Sequence, residues 1–185
     1  MTTVVLVPGY TNAGPAHWQT IIERKYADVV RVQQDNWEVP DREKWLTRVN
    51  ETLSTIEGEV VLVGHSCGAV AITQWSQAFQ SDKVIGALLV APADVDSPSA
   101  IVEIQVQRPL SFEPLPFPSI VVTSDNDAHV SLERAHLFAD AWRSEIIIKP
   151  GADHFHTEAG YGEWPEGEKL IERLMGRSFQ CKSMV

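Results

Sequence analysis

Residues 60–72 read Val-Val-Leu-Val-Gly64-His65-Ser66-Cys67-Gly68-Ala-Val-Ala-Ile, and the fold turns on this stretch. Val60 to Val63 is a short aliphatic run closed by glycine, the pattern of a strand buried on both faces. From Cys67 the residues become small and helix-compatible, with Ala69 and Ala71 at the start of a segment of helical length reaching Gln80. Between them lies G-x-S-x-G in the strand-turn-helix setting of a nucleophile elbow. A turn that sharp holds its serine in a strained backbone conformation and leaves no room for side chains two places to either side, hence Gly64 and Gly68. The pentapeptide alone arises by chance in about one chain of this length in twenty, so the flanking strand and helix carry the weight of the reading.

Working outward, similar apolar runs recur at Val4–Val7, Val29–Gln33, Val84–Val90, Ser119–Thr123 and Glu145–Ile148. Segments of helical length separate most of them: Pro15–Tyr26, Asp41–Ile56, Ser131–Trp142 and Pro165–Met175. Pro15 suits a helix start, and Asp41 and Ser131, the latter with Glu133 nearby, suit N-caps. Strand and helix alternate, which predicts a three-layer, doubly wound α/β domain with a six-stranded parallel sheet. Placing the first and third strands side by side gives the order 2-1-3-4-5-6 and brings the loop after the first strand to the Ser66 elbow. One connection breaks the rhythm, because Pro92 to Pro118 holds repeated prolines where a crossover helix belongs. A loop that long is expected to wall or gate a functional site. The tail from Gly176 to Val185 is expected to fray, and residues 1–185 read as one domain.

A serine nucleophile needs a base and an orienting acid, which in this architecture follow in the chain order serine, acid, histidine. Ser124-Asp125-Asn126-Asp127 after the fifth strand offers two acids, and Asp153-His154-Phe155-His156 after the sixth offers two imidazoles. Both loops fall at the carboxyl edge of the sheet. His129, His154 and His156 lack the accompanying cysteine or carboxylate spacing of zinc motifs, so no metal is expected. Cys67 is expected to serve through its backbone N–H as half of an oxyanion hole. The other half is expected from Tyr10, with Thr11 second. Thr11, His17 and His65 are the expected substrate-binding residues, although His17 and Trp18 serve equally well as pins of the first helix. Trp37, Trp75 and Trp164 read as packing residues. Gly9-Tyr-Thr-Asn-Ala-Gly14 leads into Pro15-Ala16 rather than Lys and Ser or Thr, so it lacks the charge donor of a phosphate loop.

Val7-Pro8-Gly9, His17-Trp18, Asp35-Asn36-Trp37 with Pro40, the Gly64–Gly68 elbow, Asn126-Asp127, and His154-Phe155 before Gly162-Glu163-Trp164-Pro165 together resemble the α/β-hydrolase superfamily. The resemblance is closer to its small lidless serine hydrolases, those similar to retinoblastoma-binding protein nine. It implies a minimal α/β-hydrolase without a cap domain and a triad of Ser66, Asp127 and His154. Asp153 stands where that pattern usually has glycine. The expected activity is carboxylesterase-like: cofactor-free hydrolysis of small acyl esters, thioesters or activated amides through an acyl-enzyme. The competing expectation is a non-catalytic interaction module on a hydrolase scaffold. The motif L-x-C-x-E is absent around Cys67 and Cys181, and no protein partner is named by the sequence.

Composition narrows the classes further. At 185 residues the chain buries roughly 70 % of its unfolded surface on folding, enough for one sizeable core and too short for a typical (β/α)8 barrel. Asp and Glu number 25 against 15 Lys and Arg, a net charge of -10 that repels nucleic-acid backbones and anionic membranes. The longest apolar run, Val84 to Ala93, is about half of what spans a bilayer, and no basic residue precedes the first apolar run. Cys67 and Cys181 read as reduced thiols of a cytoplasmic protein, and the partner implied is a small-molecule acyl substrate.

Overall fold

Strands covered on both faces have no need of polar alternation, and the central ones show it. In a computed structural model that describes residues 1–183, β1 (Thr2–Val7), β3 (Glu59–His65), β4 (Val84–Val90) and β5 (Ser119–Ser124) are buried almost throughout. The edge strands β2 (Val29–Arg31) and β6 (Glu145–Lys149) are partly exposed. All pairings between the strands of the sheet are parallel, and the order is β2-β1-β3-β4-β5-β6, the doubly wound arrangement expected from the sequence. In the β1–β3 register Val7 lies opposite Gly64. The chain leaving β1 therefore passes directly beside the elbow leaving β3.

Helices α2 (Arg42–Ser54), α3 (Cys67–Ala78) and α4 (Leu132–Trp142) cover one face of the sheet, where Trp45, Trp75, Phe138 and Trp142 meet Val5, Val7 and Leu62. Helices α1 (Trp18–Lys25) and α5 (Pro165–Met175) cover the other, where Trp18, Ile22, Trp164 and Ile171 meet Val4, Leu6, Val61 and Val63. Alternate residues of each strand thus feed two cores, as period two requires. Asp41 and Ser131 cap α2 and α4 by accepting the amide protons of Lys44 and Arg134.

Three local expectations are corrected. Helix α1 starts at Trp18 rather than Pro15, because His17 is its N-cap: the ring Nδ1 accepts the Gln19 amide at 3.2 Å. Strand β2 ends at Arg31 instead of Gln33. It has one neighbour only, and the Arg31 guanidinium turns off the edge to Asn12, Ala13 and Thr20. The tail does not fray over its described length. Phe179 stacks on Tyr26 with ring centroids 4.1 Å apart, Ala27 donates to the Gln180 carbonyl at 2.7 Å, and Arg177 pairs with Asp28 at 2.7 Å. The rest of the expected tail, residues 184–185, lies outside the described residues.

The 92–118 connection holds a single short 3-10 turn, Val102–Gln107, and is fastened to α3. Gln107 is fully buried and its side-chain amide donates to the Cys67 carbonyl at 2.8 Å, while Gln74 of α3 donates to the Gln107 and Pro109 carbonyls at 2.7 and 2.8 Å. No cap domain stands over the carboxyl ends of the strands among the described residues. No helix among them is long and apolar enough to cross a membrane.

Candidate active site

Ser66 sits between β3 and α3 at φ 56° and ψ -122°, a region that side chains rarely occupy and that persists only where the surroundings enforce it. The enforcement is steric. A Cβ on Gly64 would stand 2.6 Å from Ala69 Cα, and one on Gly68 would stand 1.9 Å from the Val7 carbonyl oxygen. The turn is pinned by the Ser66 amide, which donates to Val90 O at 2.9 Å.

The two loops at the neighbouring strand ends converge on this serine. Asp127 follows β5, and its carboxylate, with no exposed side-chain surface, accepts at Oδ2 from His154 Nδ1 at 2.8 Å. A carboxylate can only accept, so the imidazole proton is on Nδ1 and Nε2 presents its lone pair. Ser66 Oγ lies 2.8 Å from that Nε2 and donates to it. The other Asp127 oxygen, Oδ1, accepts the His129 amide at 2.8 Å, which fixes the carboxylate plane.

The rival acid and base stand beside this line rather than in it. Asp125 is exposed and its Oδ1 accepts the Gly151 amide at 2.7 Å, bracing one loop against the other. His156 caps a short 3-10 turn, Thr157–Ala159, by accepting the Ala159 amide, with its ring 6.5 Å from that of His154. Asp153, the departure from the expected glycine, adopts φ 50°. Asn126 Oδ1 accepts its amide at 2.7 Å, and this bond supports the left-handed turn that glycine would take freely.

The segment after β1 forms the other bank. A Cβ on Gly9 would stand 3.0 Å from Ser66 Cβ, so the backbone at Tyr10 runs against the elbow. The Thr11 amide is committed to the Trp37 carbonyl at 2.9 Å, whereas the Tyr10 amide faces the elbow at the Cys67 thiol. Cys67 N–H opens α3, where the first amides of a helix lack intrahelical acceptors. The Cys67 thiol itself is inert: burial pushes it up to about 12, only partly offset by the Tyr10 amide and Ser66.

Above the serine is a cavity of about 510 Å³ whose wall includes Tyr10, Thr11, Ile101, Ile104 and Glu158, together with five of the six histidines. His65 is buried and its Nε2 donates to the His154 carbonyl at 2.7 Å, so it holds the loop that carries His154 as well as lining the cavity. His17 is driven down to about 4, by burial first and then by Arg31, His154 and His156. Burial and His154 also lower His65, well below the usual range, and His129. These three imidazoles are neutral near pH 7 and wall the cavity without adding charge. Among the described residues no three His, Cys, Asp or Glu side chains gather as a metal site.

Sequence reasoning weighed His129 only as a metal ligand and missed its place in the wall, although its position two residues after Asp127 put it there. Glu158 and Thr157 come with the loop that carries His154. Ile101 and Ile104 arrive on the proline-rich connection, which forms a wall of the cavity as expected.

Comparison with known proteins supports the fold and a hydrolase family. A family model described as serine hydrolase matches residues 4–173. The chain is similar to a structure described as a YdeN-like hydrolase from Pectobacterium atrosepticum, with 34 % identity, a TM-score of 0.84, and 95 % of this chain and 91 % of that one covered. The ydeN gene product of B. subtilis shares the fold at 16 % identity and a TM-score of 0.73, covering 96 % of this chain and 100 % of that one. Est1E from Butyrivibrio proteoclasticus, solved with ferulic acid bound, does so at 14 % identity and 0.68, covering 95 % and 87 %. No curated protein matches the chain in sequence. With almost its whole length matched by the family model, the chain belongs to the serine hydrolase family.

Proposed function

We propose that this hydrolase is a cofactor-independent, carboxylesterase-like enzyme that cleaves small acyl esters, and activated thioesters or amides, through an acyl-enzyme. The observation that carries the reading is the hydrogen-bonded line from Ser66 Oγ through His154 to Asp127, at 2.8 Å on each side. In the proposed mechanism Ser66 Oγ attacks the acyl carbon while Nε2 takes its proton. Asp127 holds the Nδ1 tautomer and stabilises the imidazolium, and the amides of Cys67 and Tyr10 receive the developing oxyanion. His154 then protonates the leaving group and activates the water that releases the acid. An open cavity walled in part by the neutral imidazoles of His17, His65 and His129 and by two isoleucines suits a small acyl group. The solved structures described as Est1E with ferulic acid bound and as the type II thioesterase BorB from the borrelidin biosynthetic cluster lend acyl chemistry plausibility at the level of fold.

A pure interaction module gains nothing from a serine held at φ 56°, which argues against that alternative. Unpaired Cys67 and Cys181 support a cytoplasmic setting. The test is p-nitrophenyl butyrate turnover with fluorophosphonate labelling. Ser66→Ala is expected to abolish the label and lower kcat on the order of a million-fold, on the precedent of other serine triads, while Cys67→Ala retains both. Labelling that survives in Ser66→Ala refutes the assignment.

A further inference from the structure

Beside the catalytic cavity lies a second recess of about 230 Å³, and the two share Ile104 and His129 as a common partition. We propose that this recess is the leaving-group subsite, built for a small, neutral alcohol carrying several hydroxyls; the assignment rests on the esterase reading above.

The position follows from the chemistry. The leaving oxygen must meet the imidazole that protonates it, so the alcohol half of the substrate extends past His154. The His129 ring is 4.5 Å from the His154 ring, centroid to centroid, and His129 is also a wall of the recess. One ring therefore separates the proton donor from the recess. The Asp127 carboxylate is bonded at Oδ2 to the His154 ring and at Oδ1 to the His129 backbone amide, which ties the His129 backbone to the His154 ring.

The lining sets the ligand class. Arg134 enters from α4, but its Nε and Nη2 donate to the two oxygens of buried Asp94 at 2.7 and 3.0 Å. The guanidinium faces the Phe112 and Phe138 rings at 5.7 and 5.0 Å, so the ion pair is fixed. A substrate carboxylate would face the field of Asp94 and Asp127 behind the wall, and a substrate cation that of Arg134, so net charge of either sign is disfavoured. Hydroxyls supply the rest of the wall. Ser97 Oγ and Ser99 Oγ form a pair at 2.8 Å in which only one proton is used. Ser131 Oγ accepts the Arg134 amide at 3.2 Å and keeps its own proton to donate. Arg134 Nη1 is not engaged by Asp94. Donors and acceptors thus alternate around a volume below the usual range for drug-sized ligands, which fits a glycerol-sized polyol.

The test compares glyceryl 1-butyrate with 2-methylbutyl butyrate, the same skeleton with each hydroxyl replaced by methyl, by pH-stat titration of released butyric acid. Wild-type kcat/KM is expected to favour the glyceryl ester about ten-fold, as two net hydrogen bonds allow. Ser99→Phe, at an exposed rim position, is expected to fill the recess and bring the ratio to about one. Ser97→Ala, which keeps the volume but removes a hydroxyl, is expected to lower the ratio about three-fold. Equal rates for the two esters in the wild type, or an unchanged ratio in Ser99→Phe, overturn the subsite. Failure of the wild type to hydrolyse p-nitrophenyl butyrate overturns the esterase reading itself, and the subsite with it.

Discussion

His17 ties the stability of the fold to pH, and its contribution can be isolated. Burial is the main reason its folded-state value is down to about 4, with Arg31, His154 and His156 adding to the effect and Glu158 opposing it. In the unfolded chain the imidazole titrates near its ordinary 6.5. On acidification the unfolded state therefore binds the proton first, so stability falls as pH drops below about 6.5 and stops falling below about 4. Between pH 7.5 and 5.0 the loss from this residue is about 2 kcal/mol, at roughly 1.4 kcal/mol per unit of titration. His17→Asn removes the titration but keeps a side-chain oxygen to accept the Gln19 amide at the start of α1. Loss of ring packing against Trp18 and His65, at 5.3 and 4.9 Å, shifts the variant's stability equally at all pH values. The buried Trp18, Trp45, Trp75 and Trp142 report unfolding by fluorescence. With a urea slope of about 2 kcal/mol/M, the midpoint of the wild type should fall by about 1 M more than that of His17→Asn over this pH range. His65 acts in the same direction in both proteins, lowered first by its own burial, and the part of its shift that His17 causes adds to the difference. Midpoints that fall in parallel would refute the reasoning.

Asp127→Asn should lower kcat/KM by up to about ten-thousand-fold, because Asn can hold the wrong tautomer, and His154→Ala should be similarly impaired; Asp125→Asn and His156→Ala should each lose less than about ten-fold. All are to be assayed side by side on p-nitrophenyl butyrate. Gly68→Ala drives a methyl to within 1.9 Å of the Val7 carbonyl oxygen, so it should destabilise by about 3 kcal/mol and lower Tm by roughly 10 °C, measured by calorimetry. Phe179→Ala removes the stack on Tyr26 and should speed trypsin cleavage at Arg177 and Lys182, read by mass spectrometry, with the rest of the chain intact.

The parts of the fold that were legible in sequence are those where one residue type is physically compelled. Strand β3 is aliphatic because both its faces are covered, and Gly64 and Gly68 are glycines because no Cβ fits. Asp41 and Ser131 are short acceptors placed where a helix leaves amides free. The misplaced boundaries arise where several residue types can serve. An imidazole capping α1 is not a standard signal, so Pro15 looked like the better start. The end of β2 is decided by the contacts of Arg31 with Asn12, Ala13 and Thr20, distant choices that local propensity does not contain. The tail reads as polar, and its hold on Tyr26, Asp28 and Lys25 depends on tertiary proximity alone.

The same distinction explains why the Ser66–His154–Asp127 line was easier to see than the cavity around it. Ser66, Asp127 and His154 each sit just past the end of a strand, and strand ends are local features that hydrophobic runs reveal. Choosing His154 over His156 required more, because only the positive φ of Asp153 and Phe155 turns the first imidazole toward Ser66 and sends the second to cap the turn behind it. Asn126 is central to that choice: its side-chain oxygen accepts from both Ser124 Oγ and the Asp153 amide, at 2.6 and 2.7 Å. One amide side chain thus couples the acid loop to the base loop, so the spacing between Asp127 and His154 is held by a contact that a sequence shows only as an asparagine beside an aspartate.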